Sequence, residues 1–318
     1  VFLCKKTLAF SSLEARGKKQ RNGKCSCRVT RHRAPFGQQS TGRNPLRHVS
    51  RFSFLLLLFC SAMQTTSLRH DLESGAVSPS SLSLLHRAMV EIREVSSTTI
   101  TLHNKCTHPV WPGIQPSAGK PILARGGFKL PPNKAYTLHI PPLWSGRFWG
   151  RHGCSFDASG RGRCATGDCG GSLYCNGIGG TPPATLAEIT LGNEQDFYDV
   201  SLVDGYNLAI SITPFKGSGK CSYAGCVSDL NLMCPSGLQV RSRDNRSVVA
   251  CKSACFAFNS PRYCCTGRFG TPQACKPTAY SRIFKAACPK AYSYAYDDPT
   301  SIATCTRGNY LVTFCHHR

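Results

Sequence analysis

Cys164, Cys169 and Cys175 fall together in the stretch GRGRCATGDCGGSLYC, Gly160 to Cys175. Cysteines this close can hold a soft metal, cycle as a redox couple, or cross-link the chain. A zinc knuckle wants C-x2-C pairs or nearby histidines. These spacings are longer, and of ten histidines only His316 and His317 adjoin a cysteine. A redox couple wants C-x-x-C, whereas CKSAC at Cys251 to Cys255 has three residues between its sulfurs. Cross-linking is the reading that fits 20 cysteines in 318 residues, and it places the protein in an oxidising compartment. Three is odd, so at least one cysteine of this stretch must find a partner elsewhere. Adjacent Cys264 and Cys265 bond to each other only with strain, so each is expected to have its own partner. No metal and no cofactor are expected.

Carboxylates are the second candidates for chemistry. From residue 99 onward there are 23 Lys and Arg against 11 Asp and Glu, so a cluster of acids would stand out. Residues 1–98 carry 16 basic and 5 acidic residues, most of the excess lying before residue 52. Such a basic arm could meet nucleic acid or anionic lipid, but a solvated segment explains it as well, and no nucleic-acid partner is expected. The chain lacks a phosphate loop, a dinucleotide fingerprint and a nucleophile elbow; GSGK at 217–220 has the wrong glycine spacing.

The elements that must position these groups read mainly as strands. In NLAISITPF, Leu208, Ile210 and Ile212 alternate with Ala209, Ser211 and Thr213, which predicts a half-buried strand ended by Pro214. NYLVTFC repeats the pattern with Tyr310, Val312 and Phe314; TTITLHN and AYTLHI are shorter strands. DFYDVSLVDGYN holds a strand turning at Asp204-Gly205, and SRIFKAAC is the best helix, about two turns long. FSFLLLLFCSA, 52–62, reads as a signal-peptide core, too short to span a bilayer and farther than about 30 residues from the start. Residues 1–96 are therefore expected to be a leader, a misjoined frame or a disordered segment, absent from the mature protein.

GRGRCATGDCGG resembles the signature of the thaumatin-like family of plant pathogenesis-related proteins. SGRFWGRHGCSFD, TPPATLAEITL, DFYDVSLVDGYN, YCCTG and AYSYAYDDPTS follow in family order, so the resemblance covers about residues 97–318. It implies a flattened β-sandwich core, 97–151, 183–227 and 289–318. It also implies a small disulfide-rich excursion at 152–182 and a larger one at 228–288. From Cys106 onward there are 16 cysteines, the family's number. The family pairing carries over as Cys106–Cys315, Cys154–Cys164, Cys169–Cys175, Cys221–Cys305, Cys226–Cys288, Cys234–Cys251, Cys255–Cys264 and Cys265–Cys275.

The resemblance also implies a cleft lined by one arginine and four acids, which correspond to Arg147, Glu188, Asp199, Asp204 and Asp298. Asp297 precedes Asp298, so the last position has a neighbour that could replace it. Glu188 and Asp204 are the two acids chosen for chemistry. Glu188 follows Leu186 and Ala187, an apolar setting for a general acid, and Asp204 lies at a polar turn. Phe148, Trp149 and Tyr198 could face sugar rings or belong to the core. Asp199 and Asp204 have opposite parity and share a face only if the strand bends between them.

Three uses of the acids stay open: weak endo-β-1,3-glucanase chemistry, binding of β-1,3-glucan in fungal walls, and structural pairing with Arg147. The implied function is a secreted, monomeric, antifungal defence protein of the apoplast. The alternatives are a membrane-perturbing protein drawn to fungal membrane surfaces, and an inhibitor or receptor-binding module. NRS at Asn245 is a glycosylation sequon in a polar stretch.

Overall fold

The computed structural model describes residues 97–316, and the expectations for residues 1–96 lie outside the described residues. Among the described residues fourteen strands run in chain order. They are β1 (Thr99–Asn104), β2 (Trp111–Pro116), β3 (Ala135–His139), β4 (Ser145–Arg151), β5 (Ser155–Phe156), β6 (Gly162–Arg163) and β7 (Leu186–Thr190). After them come β8 (Asp196–Ser201), β9 (Ile210–Phe215), β10 (Ala224–Gly225), β11 (Gln239–Arg241), β12 (Val248–Cys251), β13 (Ala303–Cys305) and β14 (Asn309–Phe314). Two five-stranded sheets form the sandwich, β10-β9-β14-β1-β3 and β13-β8-β7-β4-β2. β1 lies parallel to β14 with Ile100 opposite Tyr310, so the two ends of the domain meet inside one sheet.

Alternation builds the core. Ile100 and Leu102, with Tyr310, Val312 and Phe314, present their apolar side inward. Phe148, Ala187, Ile189, Tyr198 and Val200 of the second sheet join them in one buried cluster. Each of the larger apolar side chains among them contributes about 1.5–3 kcal/mol by leaving water.

The strand in NLAISITPF departs from expectation twice. Ala209 and Ser211 are buried like their apolar neighbours, and the backbone at Gly225 closes onto Ser211. Pro214 does not end the strand. The β10 pairing stops at Ile212, so Pro214 sits where β9 has become an edge and a missing N–H is tolerated.

Two excursions leave the sandwich. The small one carries the β5–β6 hairpin, Cys154–Cys164 and Cys169–Cys175. Arg151, fully buried at the end of β4, holds it in place: Nη1 donates to the Ser172 carbonyl at 2.8 Å and Nη2 to that of Leu173 at 2.7 Å. Burial lowers the Arg151 pKa to about 10, so the guanidinium stays charged at neutral pH.

The larger excursion carries β11, β12 and short helices, with Cys234–Cys251, Cys255–Cys264 and Cys265–Cys275. The SRIFKAAC segment lies in its longest helix, Ala279–Ala287, whose N-terminus Thr278 and Ser281 close with a reciprocal capping box. Cys226–Cys288 lies at its base, and Cys221–Cys305 and Cys106–Cys315 staple the sandwich.

One buried polar pair joins the sheets. Tyr310 Oη donates to Asp196 Oδ2 at 2.6 Å, and the Gly192 N–H donates to Asp196 Oδ1 at 3.0 Å. Burial and the Asp196 bond both raise the Tyr310 pKa, so the phenol stays a donor. Tyr310→Phe leaves a buried carboxylate short of a partner and is expected to cost about 1–3 kcal/mol in urea unfolding. An unchanged midpoint would contradict that role.

Candidate functional site

The register of the second sheet assembles the site. Arg147 on β4 lies opposite Gln115 on β2 and Glu188 on β7, and Glu188 lies opposite Asp199 on β8. The four side chains form one row across four strands, on the face turned away from the core. Neighbours in such a row have Cβ atoms about 4.5–5.5 Å apart. Arg147 Nη2 stands 3.6 Å from Glu188 Oε1. Glu188 therefore has a guanidinium on one flank and a carboxylate on the other. Ala187, counted above as part of its apolar setting, points into the sandwich core.

Tyr292 connects this row to Asp298. Its backbone bridges to Ser201 in parallel register, with its N–H donating to the Val200 carbonyl at 2.8 Å. Its Oη donates to Asp298 Oδ1 at 2.9 Å. Burial raises the phenol pKa first, and the charges of Asp199, Asp298 and Glu188 raise it further. Three carboxylates thus act on one neutral phenol that can only donate to them. Asp297 has other work: it accepts from Lys285 Nζ at 2.9 Å and from the Ser293 N–H and hydroxyl. Asp298 is the acid that joins the row.

Asp204 stands farther along. β8 ends at Ser201, and the Gly205 N–H closes a turn onto the Leu202 carbonyl at 2.9 Å, so strand parity does not extend to Asp204. Its carbonyl accepts from the Ala184 N–H at 3.3 Å. Ala184 precedes Glu188 by four residues, roughly 13 Å of extended backbone. Asp199 is the nearer acid to Glu188 along the sheet.

Phe148, Trp149 and Tyr198 are all buried and are core residues, not sugar-facing ones. Trp149 is covered from outside by the small excursion: its Nε1 donates to the Gly167 carbonyl at 2.8 Å, and a Cβ on Gly180 would lie 2.5 Å from that nitrogen. The exposed aromatic on the row's face is Phe197, 44% accessible and two residues from Asp199 on β8. Sequence reading missed Phe197 and Tyr292. The DFYD alternation carried a signal for the first; the second had none, because its position depends on a contact outside any strand pattern.

Asn245 is exposed at the turn between β11 and β12, in a left-handed conformation that asparagine tolerates. Cys106, His108 and Cys315 place ligand-type atoms within 4.8 Å of one another, but the two sulfurs form a disulfide and offer no thiolate.

A disulfide-stapled two-sheet sandwich with an acid-lined row on one face defines the class. A sequence profile of the thaumatin family matches residues 104–316, and the chain belongs to that family. It is 78% identical over 228 residues to a thaumatin-like protein of Arabidopsis thaliana, covering 71% of this chain and 94% of that one. It is 58% identical over 219 residues to pathogenesis-related thaumatin-like protein 3.5 of Cryptomeria japonica, covering 69% and 90%. A glucan endo-1,3-beta-glucosidase of Prunus avium is 53% identical over 223 residues, covering 69% and 91%.

Proposed function

We propose that residues 97–318 act as a secreted, monomeric defence protein whose acidic row engages β-1,3-glucan of fungal walls. The supporting observation is the Arg147–Glu188–Asp199 register, extended by Tyr292 and Asp298. Carboxylates accept hydrogen bonds from vicinal sugar hydroxyls, Arg147 and Gln115 donate to ring or glycosidic oxygens, and Phe197 offers an apolar face to a pyranose. The eight disulfides among the described residues suit an extracellular, oxidising setting.

Slow endo-hydrolysis is a second reading, supported by the relative named as a glucan endo-1,3-beta-glucosidase. In that reading Glu188 protonates the leaving oxygen. Asp204, or the nearer Asp199, serves as the second carboxylate. Glycosidases of the retaining kind hold their two carboxyl groups about 5 Å apart and inverting ones hold them farther apart.

The basic surface gives a way to separate glucan from membrane. Attraction to anionic lipid weakens as salt screens it, whereas sugar binding through short hydrogen bonds persists. The protein is expected to stay on insoluble β-1,3-glucan in 0.5 M salt (on the order of a 4 Å screening length) and to leave anionic vesicles there. Loss from the glucan at that salt, with retention on vesicles, would favour the membrane reading.

A further inference from the structure

The one N-x-S/T triplet in the chain, Asn245-Arg246-Ser247, stands at the tip of the β11–β12 hairpin. Gln239 pairs with Cys251 and Arg241 with Val248, so residues 242–247 form the turn. Such a triplet arises readily by chance, and its setting decides whether it is used as an acceptor.

The turn is tied by its own polar groups. The Asn245 N–H donates to the Ser242 carbonyl at 2.9 Å, and Arg241 Nε donates to the Asn245 carbonyl at 3.4 Å. The Ser242 N–H donates to the Ser247 carbonyl at 2.9 Å, and Ser242 Oγ accepts from the Ser247 N–H at 3.1 Å. These bonds use the Asn245 backbone, and none of them uses its carboxamide. Asn245 is exposed, and its φ of 57° is a left-handed conformation that asparagine tolerates. Arg243, Asp244, Arg246 and Ser247 around it are exposed as well. A bulky, solubilising group on Asn245 Nδ2 therefore has solvent to occupy.

The same turn is vulnerable to cleavage. Arg241, Arg243 and Arg246 are all exposed, and exposed loop tips are where proteases nick a folded chain. We propose that Asn245 carries an N-linked oligosaccharide, which covers this turn and slows cleavage after its arginines. The proposal rests on the secreted reading, because the donor is a lipid-linked oligosaccharide diphosphate of the secretory pathway. Asn245 Nδ2 bonds to the anomeric carbon of that donor. The bond from this carbon to the diphosphate oxygen breaks, and the lipid diphosphate leaves with the electron pair. Nδ2 gives up one proton, and nothing is oxidised or reduced. The Ser247 hydroxyl supplies the third position that the acceptor triplet requires.

The test expresses the full chain in leaf cells behind an added secretory signal peptide and recovers it from the extracellular fluid. Enzymatic release of N-glycans in heavy-oxygen water, followed by peptide mass spectrometry, is expected to find Asn245 converted to labelled aspartate. Asn245→Gln and Ser247→Ala should both lack the glycan, and the second keeps the asparagine in its left-handed turn. Trypsin should nick both variants within the turn several-fold faster than the parent. The fragments part only on reduction, because the cut lies inside the loop closed by Cys234–Cys251. An unmodified Asn245 in extracellular protein would overturn the proposal and leave the secreted reading intact. Equal nicking of parent and variants would overturn the shielding. A chain that, without the added signal, is found only in the cytosol would remove the secreted reading and the proposal with it.

Discussion

Replacing Cys106 and Cys315 together by serine is expected to remove most of the domain's stability. Their disulfide closes a loop with a sequence separation of 209. On the chain-entropy account a loop of that length contributes about 5 kcal/mol, comparable to the whole net stability of a marginal domain. The bond also locks β1 beside β14, the parallel pair that unites the two ends of the domain in one sheet. The double variant should unfold well below the parent in thermal melts and lose β-sheet circular dichroism at moderate temperature. Replacing Cys169 and Cys175 by alanine removes a bond with a separation of only 6 and should cost less, about 2 kcal/mol from the same model. Equal losses from the two pairs would contradict the ordering.

Glu188→Gln carries the largest expected effect on chemistry. An amide keeps the shape and accepts hydrogen bonds, but it cannot deliver a proton. Release of reducing ends from β-1,3-glucan should fall to background, a loss of at least about 10² if Glu188 is the general acid. Binding to the polymer should change only a few-fold. The melting temperature should barely move, because Arg147 and Glu188 form a partly exposed pair at 3.6 Å, and such pairs contribute about 0–1 kcal/mol. Turnover at the parent rate would remove Glu188 from any catalytic role. A large loss of stability with binding intact would assign it a structural one.

The sandwich was legible in the sequence because alternation is local. Ile100 and Leu102, or Tyr310, Val312 and Phe314, declare a strand and its buried side within six residues. What alternation cannot show is the cover on the other side. β4 is buried on both faces from Phe148 to Arg151 because glycines of the small excursion lie on Trp149. An aromatic that looked available for sugar is therefore packed away, and the exposed aromatic on the face of the row is Phe197.

The acids themselves came from resemblance. Their arrangement did not, because the Arg147–Glu188–Asp199 row depends on pairing between strands distant in the chain, which no local pattern encodes. Parity along β8 does not govern Asp204, because the strand ends three residues earlier and a turn follows, the break in the strand that a shared face required. Tyr292's link from Asp298 to the row is a tertiary fact of the same kind as the row itself.

The most direct test of the central claim is retention on insoluble β-1,3-glucan in high salt by a Glu188→Ala/Asp199→Ala double variant. Salt removes non-specific attraction between a basic protein and its surroundings. The double substitution removes the two carboxylates at the middle of the row and leaves every disulfide in place. If the row holds glucan, the parent stays with the pellet and the variant, with its fold intact by circular dichroism, appears in the supernatant. A folded variant that pellets as well as the parent would mean that glucan is held somewhere else on the protein.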